Sequence, residues 1–236
     1  MKRLSVEEAE NLAIKFRSEN GLSLSEPIAT KTLLRKMKVL TIFRPLSEDY
    51  FGLSLKSKNG ECFMLINSNS TIGRQHFTIA HEFYHLFYDS DPKPHICLAE
   101  GGTSPLEKNA DLFASTLLLP REGILMGVPS GELFINRIQM PTIIRLEQLF
   151  AVSRQSLLIR LKSIGIINEV TLKKLQTISP KQSARQFGYD LSLYESGNEN
   201  LVLGDFGEKA RKLFDLGKIS EGHYQELLNL WTNGKS

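Results

Sequence analysis

The sequence predicts an α+β fold: helices packed on a small, mainly antiparallel sheet, followed by a helix-turn-helix-like region and a helical tail. Three observations predict it. Apolar residues recur at helical spacing near the start and through the centre of the chain. Between those segments, "KVLTIF", "YFGLSLK" and "ECFMLIN" are rich in β-branched and aromatic residues, as strands are. The last two flank a turn containing Asn59-Gly60, a hairpin signal. The chain has 236 residues, with 41% apolar and 23% charged, so it is long enough to bury a core and balanced as a soluble globular protein is.

The elements follow in order. Ser5 and Glu8 have the spacing of a capping box, and Ala9, Leu12, Ala13 and Phe16 share one helix face until Gly21 ends the pattern. "PIATKTLLRKM" reads as a second helix with Pro27 in its first turn, where a missing N–H costs nothing. After the three strands, "NSNSTIGRQHFTIAHEFYHLFYD" changes from period two to a period near 3.6, its polar start serving as the cap. Residues 90–105, with their prolines, glycines and small polar residues, read as a loop. "SPLEKNADLFASTLLLP" is helical from Ser104-Pro105 to Pro120, and short helices fill 121–167. A Ser/Gly/Asn-rich stretch around 179–200 precedes two closing helices, "FGEKARKLFDLG" and "SEGHYQELLNLW". The expected units are a core over 1–120, a helical unit over 121–170 and an extension over 171–236.

Composition excludes several classes. A net charge of +3 is far from the dense basic surface that marks a nucleic-acid binder by itself. Two cysteines, Cys62 and Cys97, form neither a CxxC pair nor a disulfide framework, which suits a reducing cytoplasm. "MKRLSVEEAENLA" turns acidic where a signal peptide needs apolar residues, and no apolar run approaches the roughly 20 residues of a membrane span. A soluble cytoplasmic protein without a membrane partner is expected.

Chemistry concentrates in "HEFYH", residues 81–85. Side chains four apart share one helix face, so His81 and His85 can offer their imidazoles to a single ion. Glu82 then sits beside that ion, able to take a proton from water and deliver it to a leaving amine. The plain alternative is a helix with one buried and one exposed histidine. A catalytic zinc usually has three protein ligands. His76 is almost 140° round the helix from His81, and His95 and Cys97 would need a special turn to approach from a loop. Glu107, at the start of the next helix, is the better third ligand, although glutamates also serve first turns simply as favourable charges. Asp111, one turn on, could fix the tautomer of a ligand histidine. Tyr84 could lean over the metal as a transition-state donor, with bulky packing as its alternative.

The segments "RQHFTIAHEFYH", "EKNADLFASTLLLP" and "LFAVSRQSLLIRLKSIGII", led in by "FMLIN", resemble the ImmA/IrrE family of metallo-endopeptidases over residues 5–167. The resemblance implies a zincin-like core in which His81, His85 and Glu107 hold one Zn2+ per chain and Glu82 is the general base. It also implies a regulatory protein as substrate, a helix-turn-helix repressor or an antitoxin, cleaved to control transcription. Tyr84 stands where the family often has a small residue, and Asp111 where asparagine is frequent; neither departure removes a ligand.

A second function is written in "IRLEQLFAVSRQSLLIRLKSIG", which has the grammar of a helix-turn-helix with Arg154, Arg160 and Lys162 on its second helix. These cations can contact DNA, but a trihelical piece with only three of them reads first as packing or as a surface for a protein partner; the alternative function is a DNA-binding or protein-binding regulator whose metal site is not catalytic. The intact Glu82 favours the enzyme. A peptidase substrate is expected to lie extended along an edge of the "YFGLSLK"/"ECFMLIN" hairpin.

Overall fold

The computed structural model describes residues 3–89, 94–98 and 104–232. Among these residues five strands form one sheet: β1 (Leu40–Arg44), β2 (Tyr50–Lys56), β3 (Cys62–Asn67), β4 (His95–Leu98) and β5 (Val202–Leu203), in the order β4-β2-β3-β1-β5. β2 pairs antiparallel with β3 and with β4, and β5 antiparallel with β1; only β1 and β3 run parallel. The fold class is α+β with a mixed open sheet.

Against the sheet lie α3 (Ile72–Phe87) and α4 (Pro105–Leu118), with α1 (Val6–Glu19) packed on α4. The caps explain their boundaries. Ser5 and Glu8 close the capping box of α1, Thr71 caps α3, and Ser104 caps α4 with Pro105 in its first turn. Phe16, Phe83, Tyr88 and Phe113 form an aromatic knot between these helices, with ring centroids 5.3–6.5 Å apart for the pairs that meet. Close approach of α3 to the sheet depends on Gly52: a Cβ there would stand 2.9 Å from the Leu65 carbonyl oxygen and 2.9 Å from the Thr78 methyl.

Several expectations are corrected. α2 (Thr30–Lys36) starts after Pro27, because the Arg17 guanidinium donates to the carbonyls of Ser23 and Glu26 and holds the chain there as a loop. β4 lies inside the stretch that reads as a loop, paired in register with β2. The stretch after α5 (Arg121–Gly127), α6 (Met140–Phe150) and α7 (Arg154–Ser163) holds two more helices, α8 (Glu169–Gln176) and α9 (Pro180–Gln186), before the expected closing pair α10 (Phe206–Asp215) and α11 (Glu221–Thr232). β5 returns to the sheet, and Leu203 is buried in the same core as Phe43 and Met64. That core crosses the boundary expected near residue 171.

The helix-turn-helix grammar is realised: Ala151 closes α6 in the left-handed conformation and Ser153 caps α7. Two of its three cations are turned into the protein. Arg154 is buried against Glu147 and Ser183, and Arg160 against the Leu119 carbonyl and Glu10. Lys162 is paired with Glu169 at 2.5 Å. Arg154 and Arg160 thus serve packing between helices, which is one of the readings the sequence offers, and Lys162 alone of the three is exposed. Because removing one member of a buried pair strands the other, Arg154→Ala should cost about 3–5 kcal/mol. Glu147→Leu combined with Arg154→Met should recover much of that loss in denaturant melts; equal losses for the single and double variants would show that the pair is not what holds these helices.

Candidate metal centre

α3 buries Ile79 to Leu86 without interruption, so its histidines are set by packing as well as by spacing. His81 and His85 lie one turn apart with their Nε2 atoms 3.2 Å from each other. The Ser104 hydroxyl accepts the Glu107 N–H, fixes the first turn of α4 and aims Glu107 at α3. There Oε2 stands 3.4 Å from His81 Nε2 and Oε1 stands 3.7 Å from His85 Nε2. One turn along, Asp111 Oδ1 is 2.9 Å from His81 Nδ1.

Glu82 is fully buried between α3 and the sheet, with a carboxylate oxygen within 4.8 Å of a His81 ring nitrogen. Its Oε2 accepts from the Ser54 hydroxyl on β2 and from His95 Nδ1 on β4, the latter at 3.1 Å. Its Oε1 has no partner among the described residues. Gly52 and Ser54 pair in register with Cys97 and His95, so alternation along the two strands puts all four on the side facing α3.

His95 is the residue that sequence reasoning misplaced. Its ring stacks on that of His85, centroids 3.4 Å apart and planes within 12°, and its Nε2 lies 2.8 Å from Glu107 Oε1. His81, His85, His95 and Glu107 each offer a ligand atom within 4.8 Å of the others. The missed signal was the period of two in "HICL", where His95 and Cys97 alternate with Ile96 and Leu98.

Electrostatics sort the rings. Burial acts to lower His81, but hydrogen bonds to Asp111 and Glu107 outweigh it and raise its pKa to about 9. His95 is likewise raised to about 9, by Glu107 and Glu82 acting against burial. Burial, with the neighbouring His95 and His81, pushes His85 down to about 4. Glu107 is held far below the usual carboxylate range, because the hydrogen bonds and charges of His81 and His95 outweigh its own burial. Burial first, then the surrounding carboxylates, drives the Cys97 thiol well above its ordinary value.

The donor set fits a cation. In a tetrahedral zinc site with bonds of about 2.0–2.2 Å, ligand atoms lie roughly 3.4 Å apart. The two Nε2 atoms are 3.2 Å apart, and the Glu107 carboxylate faces both, with Oε2 3.4 Å from His81 Nε2 and Oε1 3.7 Å from His85 Nε2, so the three groups converge at about that spacing.

The other expected residues fall outside the cluster. Tyr84 is in the aromatic core against Phe113 and bonds to Asn109, so it packs and does not reach over the site as a donor. Arg154, Arg160 and Lys162 are engaged elsewhere, and His76 meets the Ala151 carbonyl at 2.9 Å. Beside the cluster opens a cleft of about 440 Å3, bordered by His81, Glu107 and Asp111 and walled by α3, α4, α7 and the β2–β4 edge.

Residues 35–162, more than half of the chain, match the IrrE N-terminal-like domain of peptidase family M78. The chain belongs to the IrrE N-terminal-like family. Its matched span contains the whole cluster, from Ser54 to Asp111. In structure, a Mycobacterium tuberculosis transcriptional regulator is similar at 15% identity with a TM-score of 0.44, over 66% of this chain and 46% of that one. The chain thus spans under half of that regulator's length. No curated protein matches it in sequence.

With divalent ions removed by a chelator, this IrrE-like site has a defined pH response. His81 and His95 have folded pKa values above the ordinary 6.5, so the stability they contribute is complete below pH 6.5 and is lost as pH rises to about 9. His85, at about 4, works in the opposite sense and only below pH 6.5. The melting temperature of chelated protein should therefore fall between pH 6.5 and 9, and less in His95→Ala. A rise across that window would contradict the proton sharing.

Proposed function

We propose that this IrrE-family protein is a zinc-dependent endopeptidase acting on a regulatory protein. The observation that carries the reading is Glu82: a fully buried carboxylate beside the triangle of His81, His85 and Glu107, with one oxygen tethered and the other without a partner. A purely structural site has no need of such a group. His81, His85 and Glu107 would hold the ion, and Asp111, accepting from His81 Nδ1, would leave the Nε2 lone pair free to bind. Bound zinc would supply acidified water and a polarised carbonyl.

Glu82 takes a proton from the attacking water at Oε1 and passes it to the leaving amine, breaking the peptide bond. Ser54 and His95 hold Oε2 and so orient the base. His95 also raises the alternative of a closed, four-ligand site without catalysis, since it belongs to the same cluster. Its stacking argues against this. Rings 3.4 Å apart and within 12° of parallel cannot both have one ion in their planes.

An extended substrate cannot add to the hairpin as the sequence suggested, because β2 lies between β4 and β3, and β3 between β2 and β1. The sheet edge beside the cleft is β4, and we place the substrate strand there. A helix-turn-helix repressor or an antitoxin is the substrate class that the family resemblance supports. None of the helices among the described residues is long and apolar enough to cross a membrane.

Metal analysis tests the ligands: His81→Ala and Glu107→Ala should lose most of the zinc, while His95→Ala keeps it. Full zinc in either of the first two overturns the assignment, and loss in His95→Ala supports the closed site. Glu82→Gln should retain zinc and lower cleavage of the cognate partner by about 10²-fold or more; unchanged turnover would remove Glu82 as the base.

A further inference from the structure

Arg74 lies on α3 seven residues before His81, hence two turns or about 10 Å along the same helix face. It borders the cleft with Phe51, Phe77, Thr78 and Leu98. Its guanidinium carbon is 4.2 Å from the Phe51 ring centroid and 6.0 Å from that of Phe77. Phe51 sits at a register shift between β2 and β4, a kind of irregularity that re-aims a side chain beside a functional site. The two rings hold the guanidinium in place, and among the described residues no carboxylate forms a salt bridge with it, Asp111 acting on it only as a neighbouring charge. The two acidic groups that share the cleft are engaged: Asp111 with His81, and Glu107 with His81 and His95. Burial lowers the Arg74 pKa, which marks partly desolvated surroundings. Arg3 and Lys108, both exposed, border the same cleft and add positive field.

A half-buried arginine held against aromatic rings, with no carboxylate in salt-bridge contact among the described residues, is a fork open to a carboxylate that arrives from outside. We propose that Arg74 is the specificity-determining residue of the cleft and binds a carboxylate of the peptide substrate. The proposal rests on the peptidase reading and sharpens it. An extended peptide advances about 3.3 Å per residue, so the 10 Å between Arg74 and His81 places the acidic residue roughly three positions from the bond that is cut. The carboxylate is either an Asp or Glu side chain or the C-terminus of the peptide, and the two are separable.

The test uses the full chain carrying Glu82→Gln, loaded with zinc, and fluorescent peptides read by anisotropy. In one series a single Glu is moved along the peptide, each member having a Gln twin; in a second, a free C-terminus is compared with its amide. Binding of the best Glu peptide should exceed that of its twin by about tenfold or more. Adding Arg74→Gln, which keeps the stem over Phe51, should erase the preference; Arg74→Lys should keep part of it, and Arg74→Glu should favour a Lys peptide. A preference confined to the free C-terminus also supports the subsite and assigns it to chain ends. Twins that bind equally, or a preference that survives Arg74→Gln, overturn the subsite and leave the peptidase reading intact. Failure of every peptide to bind zinc-loaded protein overturns both. With Glu82 restored, Arg74→Gln should raise KM for the acidic peptide more than for its Gln twin.

Discussion

Burying Glu82 is the constraint around which the molecule is arranged. A carboxylate removed from water is tolerable only where polar groups reach it, since an unpaired buried charge costs several kcal/mol. Here the polar groups come from the sheet: Ser54 on β2 and His95 on β4 both approach Oε2. They reach it only because α3 lies close against β2, and that contact leaves no room for a side chain at position 52. The short strand β4 is needed for the same reason. Without its register on β2, His95 would not face α3 at the level of Ser54.

Charge balance then draws in α4. His81 and His95 are raised in pKa and together disfavour protonation of His85, and two protonated rings at this depth would repel each other without a carboxylate among them. Glu107 stands within 3.4 Å of His81 and 2.8 Å of His95, and its own pKa falls as theirs rise. A divalent cation bound by His81, His85 and Glu107 would replace those shared protons with a fixed charge. The donor triangle serves either state because its edges are set by two capped helices, not by the groups themselves.

What could be read from the sequence follows the strength of local signals. His81, Glu82 and His85 were legible because helical periodicity fixes their relative directions, and Glu107 because Ser104-Pro105 marks where α4 begins. His95 was not, since four residues between proline-rich and glycine-rich stretches are too few for a strand pattern to outweigh the loop composition. The α7 arginines were left open between packing, a protein partner and DNA for a different reason. Spacing tells that Arg154 and Arg160 lie on a helix, but their partners Glu147, Ser183, Leu119 and Glu10 are distant or unremarkable in sequence. Only tertiary packing distinguishes an arginine that faces a phosphate from one that holds two helices together.

The same reasoning explains the C-terminal segment, which lies outside the span matched to the IrrE-like domain. Residues 195–203 run along the end of α3 opposite its histidines: Ile72 donates its N–H to the Glu195 carbonyl, and Gln75 donates to Gly197 and accepts from Asn198. The chain then pairs with β1, through Phe43 and Leu201 and into β5. A helix N-terminus has four N–H groups without intrahelical partners, and one buried beside a sheet needs them met. Thr71 meets one, and the returning segment meets another while tying the first turn to the sheet through the buried Gln75. Since His81 and His85 lie one and a half to three turns further along the same rigid helix, a shift at Gln75 would be carried directly to the donor triangle. The segment beyond the family domain is thus the support that keeps α3 in register with Ser54, His95 and Glu107.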